Sequence, residues 1–193
     1  LAQTLTLERE NVRYAPRRQP LELPDGIYLI AVTRIETQKP AVLRPSYSEE
    51  QIVEMARLVS ETLNRPNVRG IQIDFDAVAS ERRFYKRFLE RLRNELPPDF
   101  PLNMTALASW CLGDLWLNDL PVDEAIPMVF EMGSDTERVR AYLAKGNDWR
   151  EPLCTASYGV SVDEPPVEGL APNRRMYYFK NTAWSGTGIR GLR

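Results

Sequence analysis

The chain has 193 residues, of which 43% are apolar and 27% charged, with a formal net charge of −2; this is the balance of one ordinary globular domain and excludes disorder and fibrous repeats. Mixed signs leave no basic stripe for nucleic acid or an anionic membrane, and no run approaches the roughly 18 apolar residues of a membrane span. Histidine is absent, which excludes a Ser-His-Asp triad, a Cys-His pair and histidine-bearing zinc sites, so acid–base chemistry falls to carboxylates, tyrosine or lysine.

The opening residues, LAQTLTLERE, have neither the basic start nor the apolar stretch of a signal peptide. The compartment is left unassigned, with export open. TLTLERENVRY (Thr4–Tyr14) reads as a strand, and IYLIAVTRIE (Ile27–Glu36), rich in β-branched residues, as the first clear one. A helix opens at Ser48 with Gln51 completing a capping box, and carries Ile52, Ala56, Val59 and Leu63 at helical spacing. RGIQIDFDA (Arg69–Ala77) follows as a strand. The next helix starts at Ser80, stripes Phe84, Phe88, Leu92 and Leu96 along one side, and stops at Pro97 and Pro98. Its basic series, Arg82, Arg83, Lys86, Arg87, Arg91 and Arg93, is the solvated side. Further expectations are a strand Leu102–Ala108, a short helix Leu112–Leu120, a strand Asp123–Met132, a helix Thr136–Ala144, and strands near Cys154–Val160 and Met176–Phe179.

Helices that alternate with apolar strands predict a parallel sheet of right-handed βαβ units. No strand is followed by GxGxxG or GxxxxGK, so the nucleotide-binding open sheet loses support and no cofactor is expected. The fold class is α/β, a (β/α)8 TIM-type barrel. Six clear strands plus Thr4–Tyr14 make about seven, where a full barrel needs eight and about 250 residues, so the barrel is expected to be incomplete at the N-terminus. Residues 1–184 form the single barrel domain and 185–193 a Gly-rich tail. Cys111 and Cys154 carry no CxxC spacing. Two separate buried thiols are expected, with a single disulfide of an exported protein as the alternative.

Period-two alternation in RGIQIDFDA puts Ile71, Ile73 and Phe75 on one face and Gln72, Asp74 and Asp76 on the other. The apolar stripe of the following helix needs partners, so the isoleucines and Phe75 should face outward and the polar set inward. Asp74 and Asp76 then stand at the carboxyl end of their strand, where barrel enzymes keep catalytic groups. Like charges in so small a space must share a proton, accept hydrogen bonds or meet a cation, a route to a general acid. Arg34 and Glu36, Ser109 and Trp110, Glu131, and Asp163 with Glu164 also fall at strand ends, and Trp184 lies just past the last strand. Asp123 and Glu124 fall at the amino end and read as loop or stability residues.

GIQIDFDA resembles the strand signature Gly-Ile-Asp-x-Asp-Trp-Glu of chitinase-type glycoside hydrolases, with Gln72, Asp74 and Asp76 at the acidic places. The resemblance implies Asp76 as proton donor and Asp74 as its partner, with Asp in place of Glu and an amide in place of the first acid. PMVFEMG resembles that family's Met-x-Tyr-Asp, with Phe130 lacking the tyrosine hydroxyl. Taken in order, IDFDA, TALASW, VDEAIPMVFEMG, YGVSVDEP and YYFKNTAW more closely resemble an uncharacterised bacterial barrel family, a domain of unknown function distantly similar to glycoside hydrolases, from about Ile27 onward.

The leading expectation is a carbohydrate-active barrel with Asp74, Asp76 and Glu131 as catalytic carboxylates. Gln72, Arg34, Glu36, Trp110, Tyr158 and Trp184 would bind substrate, the aromatic ones offering flat apolar platforms to sugar rings. The expected partner is an oligosaccharide. The alternative is a non-catalytic glycan-binding or scaffold barrel. A third reading is a Mg²⁺ or Ca²⁺ site made by the same three carboxylates.

Overall fold

In the computed structural model, which describes residues 1–20 and 26–182, the segment expected as one strand is a hairpin. Gln3–Glu8 (β1) and Asn11–Pro16 (β2) pair antiparallel, with Glu8 opposite Asn11. Arg9 turns the chain at φ 46°, a conformation costly for a residue with a side chain. It is held there on every side: Arg9 Nε donates to the Val42 carbonyl at 2.7 Å and its amide to the Leu43 carbonyl at 3.1 Å, while its carbonyl accepts from the Ser46 amide at 2.8 Å and from Gln51 Nε2 at 2.9 Å.

Six more strands follow: Leu29–Thr37 (β3), Val68–Asp74 (β4), Leu102–Leu107 (β5), Glu124–Met128 (β6), Ser157–Ser161 (β7) and Arg175–Phe179 (β8). The α-helices are Glu49–Ser60 (α1), Arg82–Glu95 (α2) and Thr136–Ala144 (α3). Strand order is β2-β1-β3-β4-β5-β6-β7-β8, giving a mixed α/β chain with an eight-stranded, mostly parallel sheet. β1 and β3 to β8 follow one another in chain order, and the order reverses once, at the β1–β2 hairpin, which places β2 on the other side of β1.

Three findings differ from the expected parallel barrel of about seven strands, incomplete at its N-terminus. β2 runs antiparallel. The ladders among the described residues run from β2 to β8 without closing into a ring. The helix expected at Leu112–Leu120 is two 3-10 turns, Trp110–Leu112 and Leu115–Leu117, because Gly113 at φ 120° leaves helical space between them.

The described residues gather into two compact units. One comprises Leu1–Ala106 with Leu115–Ala125, the other Leu107–Asp114 with the residues from Ile126 on. In the first unit, one face of the sheet is closed by α1 and α2. Gln3 Nε2 donates to the α1 carbonyl of Leu58 at 3.0 Å and to Thr33 Oγ1 at 3.1 Å. Register carries Leu5, Ile35, Ile71, Ile73, Leu102 and Met104 onto this same face, and all six are buried. α1 begins with the expected capping box: Ser48 Oγ accepts from the Gln51 amide and Gln51 Oε1 from the Ser48 amide. Such a cap contributes about 1 kcal/mol.

In the second unit Cys111 and Cys154 form a disulfide, with Cα atoms 5.9 Å apart. This corrects the expectation of separate thiols. The loop between β7 and β8 passes so close to α3 that a Cβ on Gly169 would lie 1.9 Å from the Leu143 carbonyl oxygen, an approach open to glycine alone. Because the cysteines are 43 positions apart, opening the bond releases a long loop in the unfolded chain. Reduction, or Cys111→Ala with Cys154→Ala, is expected to lower stability by about 2–4 kcal/mol, read as a fall in the urea midpoint; an unmoved midpoint would show that the cross-link does not constrain the unfolded chain.

Candidate functional site

The face of β4 turned away from the helices is polar, and polar residues of β3 and β5 flank it toward the carboxyl ends of the strands. Register sets Arg34 beside Asp74 and Val32 beside Gln72 on β3, and Asn103 beside Gln72 on β5. At the carboxyl ends of these parallel strands the side chains join in a row. Glu36 Oε1 lies 3.3 Å from Arg34 Nε, Arg34 Nη1 lies 3.8 Å from Asp74 Oδ2, and Thr105 Oγ1 donates to Asp74 Oδ1 at 2.9 Å. Asp74 is the member held from both sides, and only 21% of its side chain is exposed. Arg34 and Glu36 are each about half exposed, so their pairing is worth little by itself. Deeper on the same face Gln72, Asn103 and Glu124 are buried, and Asn103 Nδ2 donates to Glu124 Oε2 at 3.3 Å.

Of the expected site residues, the structure therefore brings together Arg34, Glu36, Gln72 and Asp74. Asn103, Thr105 and Glu124 join them without having been singled out as site residues. Their signal was present in LNMTAL, where Asn103 and Thr105 alternate with Leu102, Met104 and Ala106 as the polar residues of β4 alternate with isoleucine. Asp123 and Glu124, expected as loop or stability residues at the amino end of their strand, divide: β6 starts at Glu124, which is buried, and Asp123 just before it acts as a clamp. Asp123 Oδ2 accepts from the Leu102 amide at 2.7 Å and from Arg93 Nη2 at 2.9 Å.

β4 ends at Asp74, so Phe75 and Asp76 lie beyond it. Phe75 is buried and meets the Tyr85 ring of α2 edge to face, centroids 5.1 Å apart, while Asp76 is exposed. Tyr85 is fully buried, stacked on Phe88 and tilted against Trp116. Its hydroxyl has no hydrogen-bond partner among the described residues. Burial, and then the negative charges of Asp74 and Asp76, hold that hydroxyl protonated well above the usual tyrosine range. The phenol therefore stays neutral beside both carboxylates.

Glu131 belongs to the second unit, where it adopts φ 49° just past β6. Its amide donates to Glu164 Oε1 at 2.8 Å, and Asn181 Nδ2 approaches its Oε1 at 3.5 Å. Asp163 Oδ2 accepts from the Asn181 amide at 2.8 Å, so the ends of β6, β7 and β8 collect Glu131, Asp163, Glu164 and Asn181. Among the described residues no three acidic, histidine or cysteine side chains are grouped to hold a metal ion; the Mg²⁺ or Ca²⁺ reading has no such site. Trp110 and Tyr158 are only 3% and 1% exposed, which corrects their expected role as sugar platforms. Tyr158 is packed by Trp149 and covered by the Arg174 guanidinium 5.2 Å above its ring, with its hydroxyl accepting from Ala171 N and Arg174 Nη1. Trp184 lies outside the described residues.

Residues 25–126 match the family described as a domain of unknown function, DUF3142, and the chain belongs to that family. The matched stretch carries Arg34, Glu36, Gln72, Asp74, Asp76, Thr105 and Trp110. No curated protein and no solved structure matches the chain.

A buried hydroxyl without a partner costs about 1–3 kcal/mol. Tyr85→Phe keeps the ring packing and removes that cost, so its melting temperature is expected to equal or exceed that of the parent. A loss of more than about 1 kcal/mol would mean that the hydroxyl bonds a group, such as Asp74 or Asp76, in solution.

Proposed function

We propose that this protein acts on carbohydrate as a glycoside-hydrolase-like enzyme, its strands forming an arc of a (β/α) barrel with the reacting groups at their carboxyl ends. The observation that carries the reading is Asp74, held at the end of β4 between Arg34 and Thr105. The resemblance of GIQIDFDA to the chitinase-type strand signature supports the same assignment. Asp74, bonded by Thr105 and faced by Arg34, stabilises the positive charge that develops on a sugar ring as its glycosidic bond breaks. Asp76, two residues on, gives its carboxyl proton to the departing oxygen. Arg34 donates to sugar hydroxyls and Glu36 accepts from them, each being about half exposed. The Cys111–Cys154 bond supports an oxidising compartment as the place of action, and so export.

A second reading, glycan binding without turnover, is favoured by the exposure of Asp76. A carboxyl that acts as proton donor at neutral pH is ordinarily kept in an apolar pocket. Reducing-end release from a panel of β- and α-linked oligosaccharides separates the two. On the substrate that is cleaved, Asp74→Asn and Asp76→Asn are each expected to lower kcat by about 10²–10⁴-fold with the fold intact. Turnover unchanged by Asp76→Asn contradicts the donor assignment, and saturable binding with no release on any glycan establishes the second reading.

A further inference from the structure

A groove of the second unit, about 480 Å³, lies along α3 and is lined by Leu112, Arg138, Ala141, Tyr142, Lys145, Asn147 and Arg150. This volume falls within the range of small-molecule sites. Leu112 and Ala141 give it an apolar lining beside Tyr142, and Arg138, Lys145 and Arg150 bring three cations to it. Arg138 Nη2 gives one contact to Asp135 Oδ1 at 2.7 Å; among the described residues Lys145 and Arg150 enter no ion pair. The carboxyl end of α3 contributes about half a negative charge, which the two cations outside any ion pair, Lys145 and Arg150, outweigh.

The walls are held in place before any ligand arrives. Tyr142 Oη donates to the Asp148 carbonyl at 2.8 Å, and Asn147 Nδ2 donates to the Tyr142 carbonyl at 2.9 Å. The Arg150 amide donates to the Cys111 carbonyl at 3.0 Å, and Cys111 is anchored by its disulfide. Asn147 Oδ1 remains available to accept from a hydroxyl, while the guanidinium groups and the ammonium can only donate. Guanidinium forks fit the planar geometry of carboxylate or phosphate oxygens, and a tyrosine ring presents a flat face to the C–H side of a sugar.

We propose that this groove binds an acidic sugar, one or two rings long, whose carboxylate or phosphate is held by Lys145 and Arg150 with Arg138 while a ring lies on Tyr142. The site is independent of Asp74 and of any turnover there. It is tested on the disulfide-intact chain by calorimetric titration with digalacturonic acid, glucose 6-phosphate, inorganic phosphate and neutral maltose. One of the two acidic sugars is expected to bind at least tenfold more tightly than maltose, and the acid that binds identifies the anionic group. That affinity is expected to fall at least tenfold with Lys145→Glu and Arg150→Glu combined, and with a rise in salt from 50 to 500 mM, about the range over which exposed charges become screened. Asp74→Asn is expected to leave it unchanged, and melting curves check that the variants are folded. Failure of both acidic sugars to bind, binding indifferent to the double charge reversal, or equal affinity for inorganic phosphate and glucose 6-phosphate would overturn the proposal.

Discussion

A carboxylate near the end of an inner parallel strand has neighbouring strands on both sides and must draw its hydrogen bonds and counter-charge from them. Asp74 does so: Thr105 on β5 donates to one oxygen and Arg34 on β3 approaches the other. That arrangement depends on register, because a slip of one residue would turn Asp74 into the helix layer and Ile71 and Ile73 out of it. Burying Ile71, Ile73 and Phe75 is worth roughly 1.5–3 kcal/mol each, more than a half-buried and bonded carboxylate costs. Apolar packing under α1 and α2 therefore decides which way the acid points, and the acid's neighbours decide its chemistry.

Much of this layering was legible in the sequence because it rests on local periodicity. The alternation of RGIQIDFDA separates the two faces of β4, Ser48 with Gln51 marks the start of α1, and α3 occupies Thr136–Ala144 as its spacing predicts. Other features escaped for identifiable reasons. The β1–β2 hairpin turns at Arg9 and Glu10, with none of the glycine, proline or asparagine that usually mark a tight turn, so one strand was read where two exist. The apolar residues Leu112, Leu115 and Leu117 resemble a helix in pattern, but Gly113 interrupts them. Burial of Trp110 and Tyr158 and the pairing of Cys111 with Cys154 are long-range contacts, which no local pattern encodes.

The two units divide the chemistry. The first carries a row of charged and hydroxyl groups at the ends of β3, β4 and β5, close to a buried phenol. The second carries the cross-link, the Glu131 cluster and a cationic groove whose walls are fixed by backbone bonds. Membership in the DUF3142 family rests on residues 25–126, and so on the stretch that holds Asp74 and its donors rather than on the groove. The sugar chemistry proposed at the strand ends and the acid recognition proposed beside α3 are accordingly separable by experiment.

The central claim is that the polar end of β4 meets a glycan. Backbone amide shifts followed by NMR during titration with the oligosaccharide panel test it most directly, since they need no turnover. The account predicts saturable shifts centred on Arg34, Gln72, Asp74 and Thr105; shifts absent with every glycan, or confined to residues remote from these strand ends, would contradict it.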